Sequence, residues 1–511
     1  MRVINTKQFS VANLQPHESL FVELWHSMTH TKSLDTYRIK CMNSRTIIRE
    51  LSDEIGIGLV NEEEISAICA EAKAILEADP ICKVHFPSFL DSIVPFLTDV
   101  PQLSHKEKEK KLSNEKRFTE FRFILTDFSV ALERSYFSYL CDGLKASVKP
   151  NNDNETKSII SSLLSDLADR GWPLETLFGW PQNFLKAPPN HTFNENLDFM
   201  LRILQNPQQR FEVTLRLSKC SNLPTIAQHE DFSFSQSSEI NTGRDPDIAK
   251  FATSFQSVCF AKTQVQDFDF RSSAINAREK LEQIVDLLRF GFEPDKLSIE
   301  NTCYVKRLGD SKEEIIAIPH ILPNPTDDIP YQDFVSFSDD LNAILKKATI
   351  EQRSRTQLKA AIRQYRFGRD VDNYRDKFLY WWMGLEALTR DETGSIGETV
   401  VNNVSYCMAI IYLRQVLEDY LHTLQFCKID WTEELAHSAG TNDLDALSAE
   451  QLFIIIGSQR AALLRACDGH PILTFYGKSL TESLTDPKKT AEALQLHLAH
   501  LKWHLSRLWR I

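Results

Sequence analysis

Residues 448–470 read SAEQLFIIIGSQRAALLRACDGH. Ser448 and Gln451 have the spacing of a capping box, in which each side chain answers the other residue's backbone N–H at a helix start. Leu452, Phe453, Ile456 and Leu463 then recur at helical period, so the reading is a single helix from Ser448 into the Arg465 region. Asp468-Gly469 is a turn signal. The stretch therefore places Arg465 on the last turn of a helix and His470 just beyond it. Pro471 follows and keeps His470 out of α geometry.

The same period extends outward on both sides. Downstream, Asp486 is an N-cap with Pro487 at the first helical position, and Leu494, Leu498, Leu501, Leu505 and Leu508 form a heptad-like seam. That seam suits a core or a dimer interface. Upstream, helices are expected over about 340–365, over 371–389 with Phe378, Trp382, Leu385 and Leu388 on one side, and over 401–425. Pro319, Pro323, Pro325 and Pro330 crowd one stretch and mark a boundary, since proline removes donors and resists regular structure. Residues 331–511 thus read as an all-α bundle.

Before that boundary the period changes. Phe211, Val213, Leu215 and Leu217 alternate with Glu212, Thr214, Arg216 and Ser218, the period of two of a half-buried strand. Further strands are expected at about 254–263, 297–306 and 315–318. They are separated by a helix with Ala277, Leu281, Ile284, Val285 and Leu288 on its apolar face and Ser272 or Ser273 as cap. Residues 206–330 read as an α+β region. Residues 1–205 read as helical: Ile65, Ile68, Cys69, Ala72, Ile75 and Leu76 make one stripe before Pro80, and Phe121, Leu125, Phe128, Leu132 and Tyr139 make a longer one. A helix over 157–170 is expected to end at Gly171. The charge run 105–117 (HKEKEKKLSNEKR) mixes signs, so a solvated linker or helix start is expected rather than a phosphate track. Trp172 and Trp180, in a loop with Pro173 and Pro181, are expected as core anchors rather than base-stacking platforms. The fold class is mainly α, with a central α+β region.

Composition bounds the function. The chain has 511 residues, 42% of them hydrophobic and 25% charged, which suits roughly three globular domains. Its net charge of −12 excludes coating nucleic acid through bulk positive charge, though not a local basic cleft. Ten cysteines lack any Cys-x-x-Cys pair and lie in apolar stretches such as those around Cys259 and Cys407, so buried free thiols are expected and no structural zinc. No apolar run approaches membrane-spanning length, and the N-terminus lacks the apolar core of a signal peptide; the expected location is the cytoplasm, without membrane contact. His497, His500 and His504 have helical spacing but lack a completing ligand, so surface or interface histidines are expected and no metal or cofactor. P-loop, dinucleotide-binding, zincin and nucleophile-elbow motifs are absent.

What remains is Arg465 and His470. An arginine fork matches phosphate oxygens, and a histidine exchanges protons near neutral pH. Together they can cleave RNA without a metal, because RNA carries its own nucleophile, the 2′-OH. The spacing by itself is near chance in a chain of this composition; the bland alternative is an arginine capping carbonyls and an exposed turn histidine.

The context adds a resemblance. A helix carrying Trp382-Met-Gly-Leu-Glu386-Ala-Leu, then a capped helix ending in Arg-x4-His, then a final long helix, resembles the HEPN superfamily and is most similar to ApeA-like HEPN domains. The likeness covers about residues 335–511. It implies a metal-independent endoribonuclease, with Arg465 and His470 as the catalytic pair and Glu386 as the helix acid. Asp468 is a supporting candidate that can position His470. It implies assembly as a homodimer or higher homo-oligomer through the C-terminal domain, and a role in bacterial antiphage defence, abortive infection or toxicity. Residues 1–330 would then sense a trigger, such as a phage-derived one. Ala466 stands where such motifs usually carry a polar residue, and Pro471 follows the histidine. Both favour the alternative, a non-catalytic HEPN-like scaffold that binds a partner protein or RNA.

Overall fold

The computed structural model describes residues 4, 14–30, 42–57, 62–99, 108–186, 191–218, 231–238, 240, 245–253, 258–291, 298–310, 312–318, 339, 343, 346–347, 351–371, 374–389 and 396–510. Helix dominates them, and one five-stranded sheet lies in the middle of the chain, so the fold is mainly α with a central α+β region. The chain forms two compact units. One comprises residues 1–166, 178–197 and 323–511, and the other residues 167–177 and 198–322. Chain order therefore does not separate the first helical region from the last; both contribute to one unit. The proline-rich boundary around Pro319 to Pro330 lies outside the described residues. Among the described residues, no helix is long and apolar enough to cross a membrane.

In the smaller unit, strands β1 (Gln209–Ser218), β2 (Ser233–Ser235), β3 (Val258–Asp267), β4 (Ser298–Arg307) and β5 (Glu313–Ala317) run in the order β2-β3-β1-β4-β5. All neighbours are antiparallel, with Val213 opposite Thr263 on one side and Val305 on the other. Phe211, Val213, Leu215 and Leu217 pack under the helix Phe270–Gly291, against Ala274, Ala277, Leu281 and Val285. That helix is capped by Asp269, whose carboxylate accepts from the Ser272 N–H at 2.6 Å; Ser272 answers as the reciprocal partner rather than as the cap.

The alternation in β1 is only half of its burial. Thr214 and Arg216, expected to face solvent, are buried as well. A second cluster of Ile248, Phe251, Phe260 and Tyr304 covers that face. The Arg216 guanidinium is accommodated by Glu300 at 3.3 Å and by the Phe251 ring, because a buried charge needs partners. Trp172 stacks on Phe268 with 5.0 Å between ring centroids and is buried, a core anchor as expected.

In the larger unit, the helix Pro16–Thr29 is almost wholly buried: Phe21, Val22, Leu24 and Trp25 are at most 1% exposed. The long helix Lys108–Ser147 begins inside the charge run and buries Phe121, Leu125, Phe128, Leu132, Tyr136 and Leu140; Tyr139 lies at the margin, stacked on His85. Arg45, 3% exposed, is held by Asp166 at 2.6 Å and Glu133 at 2.7 Å. Gly171, with φ of 94°, closes the helix Asp153–Asp169 as anticipated, and the Trp172 N–H returns to the Leu167 carbonyl. The expected aromatic loop after it is largely a helix, Leu174–Leu185, with Pro181 inside. Trp180 at its centre is buried.

The C-terminal helices are Gln352–Asp370, Tyr374–Thr389, Ile396–Cys427, Glu433–Ala439, Ala449–Ser458, Arg460–Ala466, Pro471–Leu484 and Pro487–Arg510. The first two pack closely because Gly368 and Gly384 lack side chains at the contact: a Cβ on Gly384 would lie 3.3 Å from the Ala361 carbonyl, and one on Gly368 would overlap the Trp381 ring. Two of these helices, Glu433–Ala439 and Pro471–Leu484, have no counterpart in the sequence reading. Their signals are a Thr432 N-cap and a Pro471 at the first position. Cys259 is buried as expected, but Cys407 is exposed.

Candidate functional site

The stretch 448–470 folds as two helices rather than one. The Ser448–Gln451 capping box is formed, with the Ser448 N–H donating to Gln451 Oε1 at 2.8 Å. The helix then breaks at Gln459, whose φ of −130° and ψ of 35° leave α geometry. Gly457 and Ser458, both weak helix formers, precede the break.

Arg465 stands on the last turn of Arg460–Ala466 with its side chain 66% exposed. Asp468 and Gly469 make the turn. The Asp468 N–H returns to the Arg465 carbonyl at 3.0 Å, and Gly469 takes a φ of 95°, which an L side chain rarely adopts. His470 follows, half-buried, as N-cap of Pro471–Leu484, with φ −126° and ψ 86°. Its N–H donates to the Cys467 carbonyl at 3.0 Å. Arg465 thus stands on the last turn of one helix and His470 just past it, as the sequence implied; that His470 begins a further helix, Pro471–Leu484, was not read from the sequence.

The supporting residues fall differently. Glu386 accepts from its own helix, from Trp382 Nε1 at 2.8 Å. The carboxylate that meets Arg465 is Glu434, on Glu433–Ala439, at 3.2 Å. Both members of that pair are more than half exposed, so the contact is weak and open to exchange with another anion. Asp468 is exposed, and its backbone N–H closes the turn onto the Arg465 carbonyl; it acts as a turn former.

Three further residues seat the turn, and sequence spacing shows none of them. Tyr420, on Ile396–Cys427, donates to the Leu473 carbonyl at 3.2 Å and lies 3.5 Å from Cys467 Sγ. Burial pushes the Cys467 thiol up to about 11, so it is no thiolate nucleophile at neutral pH. Gly477 leaves the space that the Tyr420 hydroxyl occupies. A Gly477→Ala variant is expected to lose about 1–3 kcal/mol through overpacking, read as a lower urea midpoint.

The third is Glu23, on Pro16–Thr29. Pro471 has no N–H, so the first donor of Pro471–Leu484 is Ile472; it donates to Glu23 Oε2 at 2.8 Å. Glu23 is 1% exposed, and burial raises its pKa to about 7 against the lowering effect of that bond. A carboxylate inside the run FVELWH was the visible signal: a charge on an otherwise buried stripe needs a partner.

Elsewhere, His497 stacks on Tyr412 at 3.7 Å, while the His500 and His504 side chains lie outside the described residues. Among the described residues, no group of three or more His, Cys, Asp or Glu side chains is placed to hold a metal ion. No family model, no curated protein and no solved structure matches the chain.

Proposed function

We propose that the protein is a metal-independent endoribonuclease of HEPN type, acting in antiphage defence or abortive infection, with the remaining regions serving as sensor or regulator. The observation that carries this reading is the tight turn that links the last turn of Arg460–Ala466, where the Arg465 side chain is exposed, to a half-buried His470 at the N-cap of the next helix. His470 removes the proton of a ribose 2′-OH, whose oxygen attacks the adjacent phosphorus. Arg465 leaves Glu434 and stabilises the phosphorane charge. The 5′-oxygen departs with a proton from a second histidine, supplied by another copy of the chain. The products are a 2′,3′-cyclic phosphate and a 5′-OH. Exposed Leu379, Met383 and Leu388 on Tyr374–Thr389 support assembly through the C-terminal helices.

The scaffold reading draws on the Arg465–Glu434 pair, which occupies the guanidinium, and on buried Ala466. The test is to incubate the purified protein and an Arg465→Ala/His470→Ala variant with mixed RNA in chelator. Cleavage by the parent, with cyclic-phosphate ends, is expected to vanish in the variant. Equal cleavage by both removes the assignment, and no cleavage by either favours the scaffold.

A further inference from the structure

A helix that starts at His470 needs its first N–H groups answered. The residue at its N-cap does not answer them, for the His470 side chain makes no cap bond. Asp79, Asp245, Thr432 and Ser448 each cap their own helix through a side-chain oxygen, as short polar residues do. At the start of Pro471–Leu484 a histidine stands in that place. Pro471 has no donor, and the next N–H, on Ile472, is answered at 2.8 Å by Glu23, from 449 residues away in the chain. A serine at 470 could reach the same N–H. Instead the cap comes from a carboxyl that is 1% exposed, although burying such a group is costly.

Local bonds fix the His470 backbone only against its own turn. Its N–H donates to the Cys467 carbonyl, and its carbonyl accepts from the Thr474 N–H, each at 3.0 Å. Tyr420, donating to the Leu473 carbonyl at 3.2 Å, and Glu23 tie that turn to other helices. Glu23 holds the residue nearer to His470. Its own helix, Pro16–Thr29, is a firm base: the Phe21 ring meets those of Phe184 and Phe193 at 5.6 and 5.5 Å, and Val22, Leu24 and Trp25 are buried.

We propose that Glu23 is a positioning residue for His470: it takes over the cap of the helix that His470 begins and fixes where the imidazole stands. Its effect on rate rests on the ribonuclease reading; its effect on the place of the ring does not. Glu23 touches no substrate. It holds the helix start so that the imidazole meets the 2′-OH proton, and a misplacement of about 1 Å at a reacting group costs about a hundredfold in rate. A reacting side chain keeps its place only when a rigid neighbour supports it.

The test uses the full chain at pH 6, below the value of about 7 to which burial lifts Glu23, so that glutamine mimics the folded side chain. Cleavage of an RNA oligonucleotide gives kcat and KM. NMR of histidine-labelled protein gives the His470 ring signal, assigned by its loss in His470→Ala. Glu23→Ala is expected to lower kcat about 10–100-fold with KM within about twofold, and to move the ring signal. Glu23→Gln, which keeps an acceptor for the Ile472 N–H, is expected to restore both. Val22→Ala, on the same helix, is expected to lower the urea midpoint and leave kcat and the ring signal in place. Glu23→Asp, shorter by a methylene, serves if Glu23→Ala does not fold, with the same losses expected. An unmoved ring signal in Glu23→Ala, no rescue by glutamine, or an equal loss in Val22→Ala overturns the proposal. If the wild type cleaves RNA through Arg465 and His470 and Glu23→Ala keeps its kcat, the positioning role fails and the nuclease reading stands. If the wild type cuts no RNA, yet Glu23→Ala displaces the ring and Glu23→Gln does not, Glu23 positions His470 and the nuclease reading fails.

Discussion

Glu23→Gln is expected to raise the stability of the protein above neutral pH by about 3 kcal/mol relative to the wild type, and to change it little near pH 4.5. Glu23 is fully buried, and burial lifts its pKa from 4.5 to about 7. Between those values the folded state holds a proton that the unfolded state has released. The proton-linked stability is therefore complete below about pH 4.5 and is lost as pH rises through 7. Glutamine cannot ionise, yet it keeps an acceptor for the Ile472 N–H. Urea midpoints of both proteins at pH 5 and pH 8 read the effect, and a pH-independent difference between them would sink it. Glu23→Ala removes the acceptor as well. It is expected to cost about 1–3 kcal/mol at pH 5, because the first N–H of the helix behind His470 is then buried without a partner. A helix N-terminus ordinarily favours a carboxylate. Here desolvation outweighs that attraction, so the contact seating the candidate site is sensitive to pH near neutrality.

Under the ribonuclease reading, His470→Ala is expected to slow RNA cleavage by about 10²–10⁴-fold, the usual range for losing a positioned general acid or base. Folding should survive, since His470 is half-buried and stands at the N-cap of its helix rather than in the core. Arg465→Lys separates the roles: it keeps the charge but loses the bidentate fork, so cleavage should fall while binding changes little. Induced expression gives a second measurement. Growth should slow with the wild type and recover with His470→Ala; equal slowing by both would support the scaffold instead. Glu434→Gln releases Arg465 from its ion pair, and an unchanged or raised rate is expected, because an exposed pair of this kind contributes little.

Several elements were legible without the fold because their signals are local. The Ser448–Gln451 box, the Gly171 cap, the Asp486-Pro487 start and the alternation of Phe211 to Leu217 each depend on residues within a turn or a pleat. Helix ends were less legible. Gln459 breaks a stretch whose apolar period is unbroken, and Asp269 takes the cap assigned to a serine three or four places later. In both, backbone geometry chose between near-equal local candidates.

By itself, then, the sequence determined the helical class, the central strands and the Arg465–His470 turn, because hydrophobic period and capping chemistry act over three or four residues. Only the tertiary structure decided what surrounds that turn. Glu23 reaches Ile472 across 449 residues of chain, Tyr420 reaches Leu473, and Glu434 rather than Glu386 meets Arg465. The second face of β1 is covered by Phe251 and Tyr304, which turns an expected surface arginine into a buried one. Burial and pairing between distant segments leave no fixed spacing in a sequence. They appear only when packing brings a charge out of water and obliges it to find a partner.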